Sequence, residues 1–130
     1  MSPRPLTRRH LLLATLAASA ASPALAHHGW RWTEDGTFVL TGVIREIYLG
    51  NPHAHLDVDV DGESWRVELA PPYRTRAAGF VEDSAAPGDE VEAFGNRSAD
   101  AGERRMKAVR IVVGGRTYDV YPRRAEAIGS

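Results

Sequence analysis

The chain has no cysteine and only two methionines in 130 residues. This excludes a disulfide scaffold, a thiolate metal centre, an iron–sulfur cluster and a cysteine nucleophile, leaving histidines and carboxylates to carry any chemistry. Neither sign of charge dominates, since sixteen basic and seventeen acidic residues give a net charge of −1. Nucleotide-binding and hydrolase signatures such as a P-loop, a Rossmann fingerprint or Gly-x-Ser-x-Gly are missing. Ser64, Ser84 and Ser98 have no neighbouring histidine that would pair a nucleophile with a base. The 43% of hydrophobic residues suffices for one core, and a chain of this length is a single ordinary domain.

The first 26 residues differ from the rest. They hold Arg4, Arg8 and Arg9 with no acidic residue, then a soft apolar run over residues 11–21, then Ala24-Leu25-Ala26. A positive start, an apolar stretch too short for a membrane anchor and a small-x-small cleavage site define a signal peptide. Arg8-Arg9 ahead of the run resembles a twin-arginine export signal. Cleavage leaves 104 residues. Thirteen basic residues then remain against all seventeen acidic ones, a net charge of −4. The expected location is the periplasm. No transmembrane anchor is expected after cleavage, and no basic surface suits nucleic acid.

The expected organisation is a signal peptide at 1–26, a small β-barrel domain at 27–121 and a polar C-terminal tail at 122–130. Residues 37–49 are rich in β-branched and aromatic residues, with alternation that falters at Gly42, where a bulge or bend is expected. Residues 55–60 and 64–69 alternate cleanly around Asp61-Gly62 and form a hairpin. Pro71-Pro72 ends that strand, and residues 73–78 form a short helix closed by Gly79. Further strands follow at 90–94, 105–113 and 117–121, the last pair turning at Gly114-Gly115. Five to six strands, with one short helix between strands 3 and 4, follow the order of an all-β, OB-like barrel. An open sandwich is the alternative.

Four of the five histidines survive cleavage, and they sit in two places: His27-His28, and His53 with His55. Side chains alternate across a strand, so Leu56, Val58 and Val60 face the core while His53, His55, Asp57 and Asp59 face outward. Extended geometry from residue 53 would set the two imidazoles about 7 Å apart along one row. Imidazole suits copper, zinc and nickel. Cleavage after Ala26 would give His27 a free amine, and the amine and ring together would chelate one metal in the manner of a histidine brace. Cleavage after Ala24 would place His27 third, another tetragonal copper arrangement. His27, His28, His53 and His55 are therefore the candidate metal ligands, and copper the candidate ion. The competing expectation is that these histidines are polar surface and that no metal binds.

Other features read as structural. Asp57, Asp59, Asp61 and Glu63 form a solvated strand face rather than a calcium loop. Trp65 shares the inward parity of Val67 and Leu69, and Trp30 and Trp32 anchor the N-terminal segment. Arg104, Arg105, Lys107 and Arg110 form the charged face of an edge strand.

Ala26-His27-His28-Gly29-Trp30, Leu40-Thr41-Gly42-Val43-Ile44, Gly50-Asn51-Pro52-His53-Ala54, Trp65 with the strand that follows it, Arg76-Ala77-Ala78-Gly79-Phe80 and Pro87-Gly88-Asp89-Glu90-Val91 together resemble a family of small exported bacterial proteins, domain of unknown function 6152. The resemblance spans nearly the whole exported chain and implies a small extracytoplasmic β-domain without an assigned activity. In that family's pattern an aromatic often stands in place of His55, so the resemblance favours His27, His28 and His53 and makes His55 accessory. The expected function is a non-enzymatic periplasmic protein that binds copper through these histidines. The alternative is a metal-free binding or assembly module that recognises a protein or envelope partner through an open sheet edge.

Overall fold

A computed structural model describes residues 29–128; the expected signal peptide, His27, His28 and the last two residues lie outside the described residues. The chain divides into two units, Met1–Arg31 and Trp32–Ser130. The strands and helices described below all belong to the second. They are β1 (Phe38–Tyr48), β2 (His55–Val60), β3 (Glu63–Glu68), α1 (Pro72–Ala77), β4 (Glu90–Arg97), β5 (Arg105–Val113), β6 (Arg116–Asp119) and α2 (Pro122–Ile128).

Neighbouring strands run in the order β3-β2-β1-β4-β5-β6, and a further parallel pairing of β3 with β5 closes β1, β2, β3, β5 and β4 into a ring. That connectivity, with a helix between the third and fourth strands, is the OB-type barrel expected from the sequence. β6 is an addition, pairing with the half of β5 that β3 leaves open. Alternation fills the barrel: Leu40, Ile44, Leu56, Val58, Val67 and Ile111 are fully or almost fully buried, and removing such apolar surface from water is the main force that drives folding. Phe80, just after α1, closes one end of this core edge-on to Tyr118, with ring centroids 5.2 Å apart.

The turns follow their residues. Asp61 and Gly62 both take positive φ, 52° and 85°, as a two-residue hairpin requires. α1 ends as expected at Gly79, where Gly79 N–H donates to the Arg76 carbonyl and Phe80 N–H to the Thr75 carbonyl. Where β1 bends, the structure departs from expectation. The register with β4 runs unbroken through Gly42, and the irregularity falls between Ile44 and Glu46, where β1 passes from β4 to β2. Gly42 serves a different need: a side chain there would meet the Asp59 carbonyl and come within 2.7 Å of Val58 Cγ1.

Two further expectations change. β4 continues to Arg97, three residues beyond the expected end. Residues 122–128, read from sequence as a polar tail, form α2 with Ala125 buried, because Pro122 suits a first helical turn and Ala125 supplies a small apolar contact. The segment before β1 is also fastened. Thr33 bridges to Ser98, Glu34 N–H donates to the Arg97 carbonyl, and Asn96 Nδ2 donates to the carbonyls of Glu34 (3.2 Å) and Gly36 (2.9 Å). Asn96→Ala removes both side-chain donations and is expected to cost about 1 kcal/mol. It should also speed proteolytic cleavage near residues 32–36, and limited proteolysis at the wild-type rate would contradict this.

Candidate functional site

The outward face of β2, β3 and β5 carries the polar side chains that the core excludes. Register sets them side by side: His55 opposes Glu68, Asp57 opposes Arg66, and Glu68 opposes Lys107. His53 precedes the strand, but Ala54 exchanges backbone hydrogen bonds with Leu69 and Ala70 (2.8 and 3.0 Å), so the ladder reaches past the end of β2. Ala54 is fully buried, so the residues on either side of it, His53 and His55, both partly exposed, point the other way. The structure thus places His53 and His55 on the outward side, as alternation requires.

Their surroundings differ. The His55 ring stacks on Tyr48, centroids 4.9 Å apart, and the Tyr48 hydroxyl donates to the Asn51 carbonyl at 2.7 Å. The chain between β1 and β2, with a cis Asn51-Pro52 bond, is folded beneath Tyr48; any side chain at Gly50 would strike that ring. His53 is half-buried. Burial first, and the Lys107 ammonium second, hold its pKa below the ordinary 6.5, while Glu68 pulls it upward. A neutral imidazole has a free ring nitrogen for a ligand.

This shift has a consequence for stability. With the folded-state pKa depressed, the unfolded chain binds more protons just below pH 6.5, so stability falls as pH drops through that window and levels off below the folded-state pKa. Urea midpoints measured between about pH 5 and 7.5 are expected to vary less with pH in His53→Gln than in the wild type. An identical pH dependence would contradict this.

The carboxylates beside the histidines are engaged. Asp57 accepts from Arg66 Nε at 2.7 Å, Asp59 pairs with Arg45, and Glu63 with Arg104. Arg45 first, then the Gly62 N–H, keeps Asp59 below the usual carboxylate range. This is the solvated strand face expected from sequence, and the pairing with arginines is added by the fold. Among the described residues no group of three or more histidine and carboxylate side chains is placed to hold a metal. The barrel therefore offers two imidazoles, and the other two candidate ligands, His27 and His28, lie outside the described residues.

Two neighbours of this face take places that the sequence did not specify: Trp32, read as an anchor of the N-terminal segment, and Lys107. Trp32 lies against the Arg105 guanidinium, 3.7 Å from Cζ to the ring centroid, and Arg105 Nε donates to Glu68 at 3.2 Å. Trp32 is thereby fixed next to the partner of His55. Lys107, read as part of an edge-strand face, is instead only 4% exposed and central in the sheet, with β3 on one side and β4 on the other. Its ammonium lies 5.4 Å from the Tyr121 ring centroid. Burial holds its pKa below the ordinary lysine value, and Arg124 and Arg105 push the same way against Glu68. Tyr121 was expected to end the strand at 117–121, but β6 stops at Asp119, and nothing in the sequence signalled that Tyr121 would lie against Lys107.

Fold and face define an OB-type barrel with a histidine-bearing outer surface on β2. Within that class the chain matches, over residues 15–106, the family of unknown function DUF6152, and it belongs to that family. No curated protein matches it. Among solved structures it is similar to a chain of the S. pombe Stn1–Ten1 complex, with 22% identity and a TM-score of 0.48, covering 59% of this chain and 57% of that one. A ZRD-deleted mutant of TiaS in complex with agmatine is similar at 18% identity and a TM-score of 0.47, covering 65% of this chain and 26% of that one. The chain thus spans just over half of the first and about a quarter of the second.

Proposed function

We propose that this is an exported, periplasmic binding protein, not an enzyme, that holds one copper ion through His53 and His55 on the barrel together with His27 and His28. The observation that carries the reading is the outward row of His53 and His55 at the start of β2. One ring is braced by Tyr48, and burial, with the Lys107 charge, holds the pKa of the other below its ordinary value. Trp32, four residues after His28 in the sequence, is held against Arg105. The donor set is nitrogen, since the chain has no thiol and arginines occupy the nearby carboxylates. Nitrogen donors in tetragonal array suit Cu(II).

Calorimetric titration of the exported protein, its N-terminus established by mass spectrometry, tests this. One equivalent of Cu(II) is expected to bind at micromolar concentration or below, more tightly than Zn(II). Affinity no better than millimolar would overturn the proposal. A metal-free module that docks a partner by strand addition has one observation in its favour, the terminal position of β6 in the sheet.

A further inference from the structure

The first half of β1, with β4 and β5, carries a second outward face. Leu40, Val91 and Ala93 are buried, so their neighbours along the strands point outward. Register arranges these in rows. Val39 opposes Phe94, Thr41 opposes Glu92, Val43 opposes Glu90, and Glu92 in turn opposes Val112 on β5. Val39 and Val43 are 48% and 38% exposed, although β1 lies inside the sheet with a neighbour on each side. Between them along the strand is Thr41, which together with Glu90, Glu92, Val112 and the turn at Gly114-Gly115 lines an open groove of about 250 Å³. A side chain at Gly114 or Gly115 would meet nothing within 4 Å, so that end of the groove is unobstructed.

The charges of this face are uncompensated. Elsewhere on the sheet Asp57, Asp59, Glu63, Glu68 and Asp119 each hold an arginine. Glu90 and Glu92 are exposed, and among the described residues their carboxylates have no hydrogen-bond or ion-pair partner. Arg45, two residues beyond Val43, is held by Asp59. The two glutamates stand about 7 Å apart along one strand face, which is also the spacing of alternate side chains in an extended peptide. We propose that this groove binds an extended basic segment of a partner protein with the pattern cation-x-cation-x-apolar, read in either chain direction. The cations sit over Glu90 and Glu92, their methylene stems lie along Val43 and Val112, and the apolar side chain rests on Val39 and Phe94. The face lies on strands other than β2, so it neither needs nor excludes a metal at His53 and His55, and the two readings fail separately.

The test titrates chelator-treated exported protein with the capped heptapeptide Thr-Lys-Thr-Lys-Thr-Val-Thr and with its reverse, followed by amide NMR shifts. Saturable shifts centred on Val39, Thr41, Val43, Glu90, Glu92 and Val112 are expected with at least one of the two, and raising the salt concentration should weaken them. A peptide with glutamates in place of both lysines should not bind, and one with the two lysines adjacent, and so on opposite sides of an extended chain, should bind less tightly. The double variant Glu90→Gln,Glu92→Gln should weaken binding about tenfold, as the loss of two exposed charge pairs implies. Both substitutions are at exposed positions, and an unchanged thermal midpoint would show that the fold is intact. Sedimentation of the protein alone checks for a second copy on the same face. No saturation by millimolar peptide, equal binding of the acidic peptide, affinity unchanged in the double variant, or self-association that shifts these same amides without peptide would each overturn the proposal.

Discussion

His53→Ala is expected to weaken Cu(II) binding by the exported protein on the order of 100-fold, a loss of about 2.7 kcal/mol. The half-buried ring sits at the edge of β2 with its pKa held below 6.5, so in the wild type it stays ready to bind as the solution turns mildly acidic. Affinity should therefore decline less between about pH 7 and 6 than an exposed histidine pair would allow. Lys107 acts in two ways here. Its charge helps to keep His53 neutral, and the same charge repels a bound cation, which sets a ceiling on affinity. His55→Ala should have a smaller effect, since the family resemblance makes that histidine accessory. Asp57→Asn is the control: Arg66 already holds that carboxylate, and copper affinity should not change. Parallel titrations of the three variants check these expectations. Equal affinity in wild type and His53→Ala would remove the barrel from the site.

The largest expected effect on stability comes from Gly95→Ala. Gly95 lies at the register shift between β4 and β5, where the two strands approach so closely that a methyl group would collide with the Lys107 carbonyl and lie 2.9 Å from Ala108 Cα. Both obstacles are backbone, so relief requires the barrel strands to part. The cost is put at about 2–3 kcal/mol, the upper part of the range for overpacking. For a domain of this size that lowers the thermal midpoint by on the order of 10 °C. Gly102→Ala makes the control, since an added methyl would approach only the flexible Asp100 carboxylate at 3.4 Å. It should stay within about 0.5 kcal/mol of wild type. Thermal melts of the two variants side by side decide the matter, and equal midpoints would contradict this view of the β4–β5 contact.

Residues that act through local chemistry were legible in the sequence. Asp61-Gly62 and Gly114-Gly115 announced their hairpins because φ > 0 favours such residues. Gly79 announced the end of α1, and alternation in β2 gave both the core face and the outward histidines. The bend of β1 was misplaced because a glycine interrupts alternation whether it serves a bulge or a close strand approach. Only the pairing partners distinguish these, and pairing is not local. Lys107 shows the same limit. A basic residue in a strand reads as edge or solvent, and its burial depends on β3 closing the barrel on one side and Tyr121 folding back from a distant turn. The four candidate ligands were legible as residue types in a pattern. The bracing of His55 by Tyr48 and the coupling of His53 to Lys107 were not, since both depend on three-dimensional neighbours.

Electron paramagnetic resonance of the exported protein loaded with one equivalent of Cu(II) tests the central proposal most directly. The expected spectrum is tetragonal with resolved couplings from several nitrogens, and the His53→Ala,His55→Ala double variant should lose imidazole couplings and shift its parallel parameters. A double-variant spectrum that superimposes on the wild type would contradict the proposal, because the copper would then rest on the N-terminal residues alone.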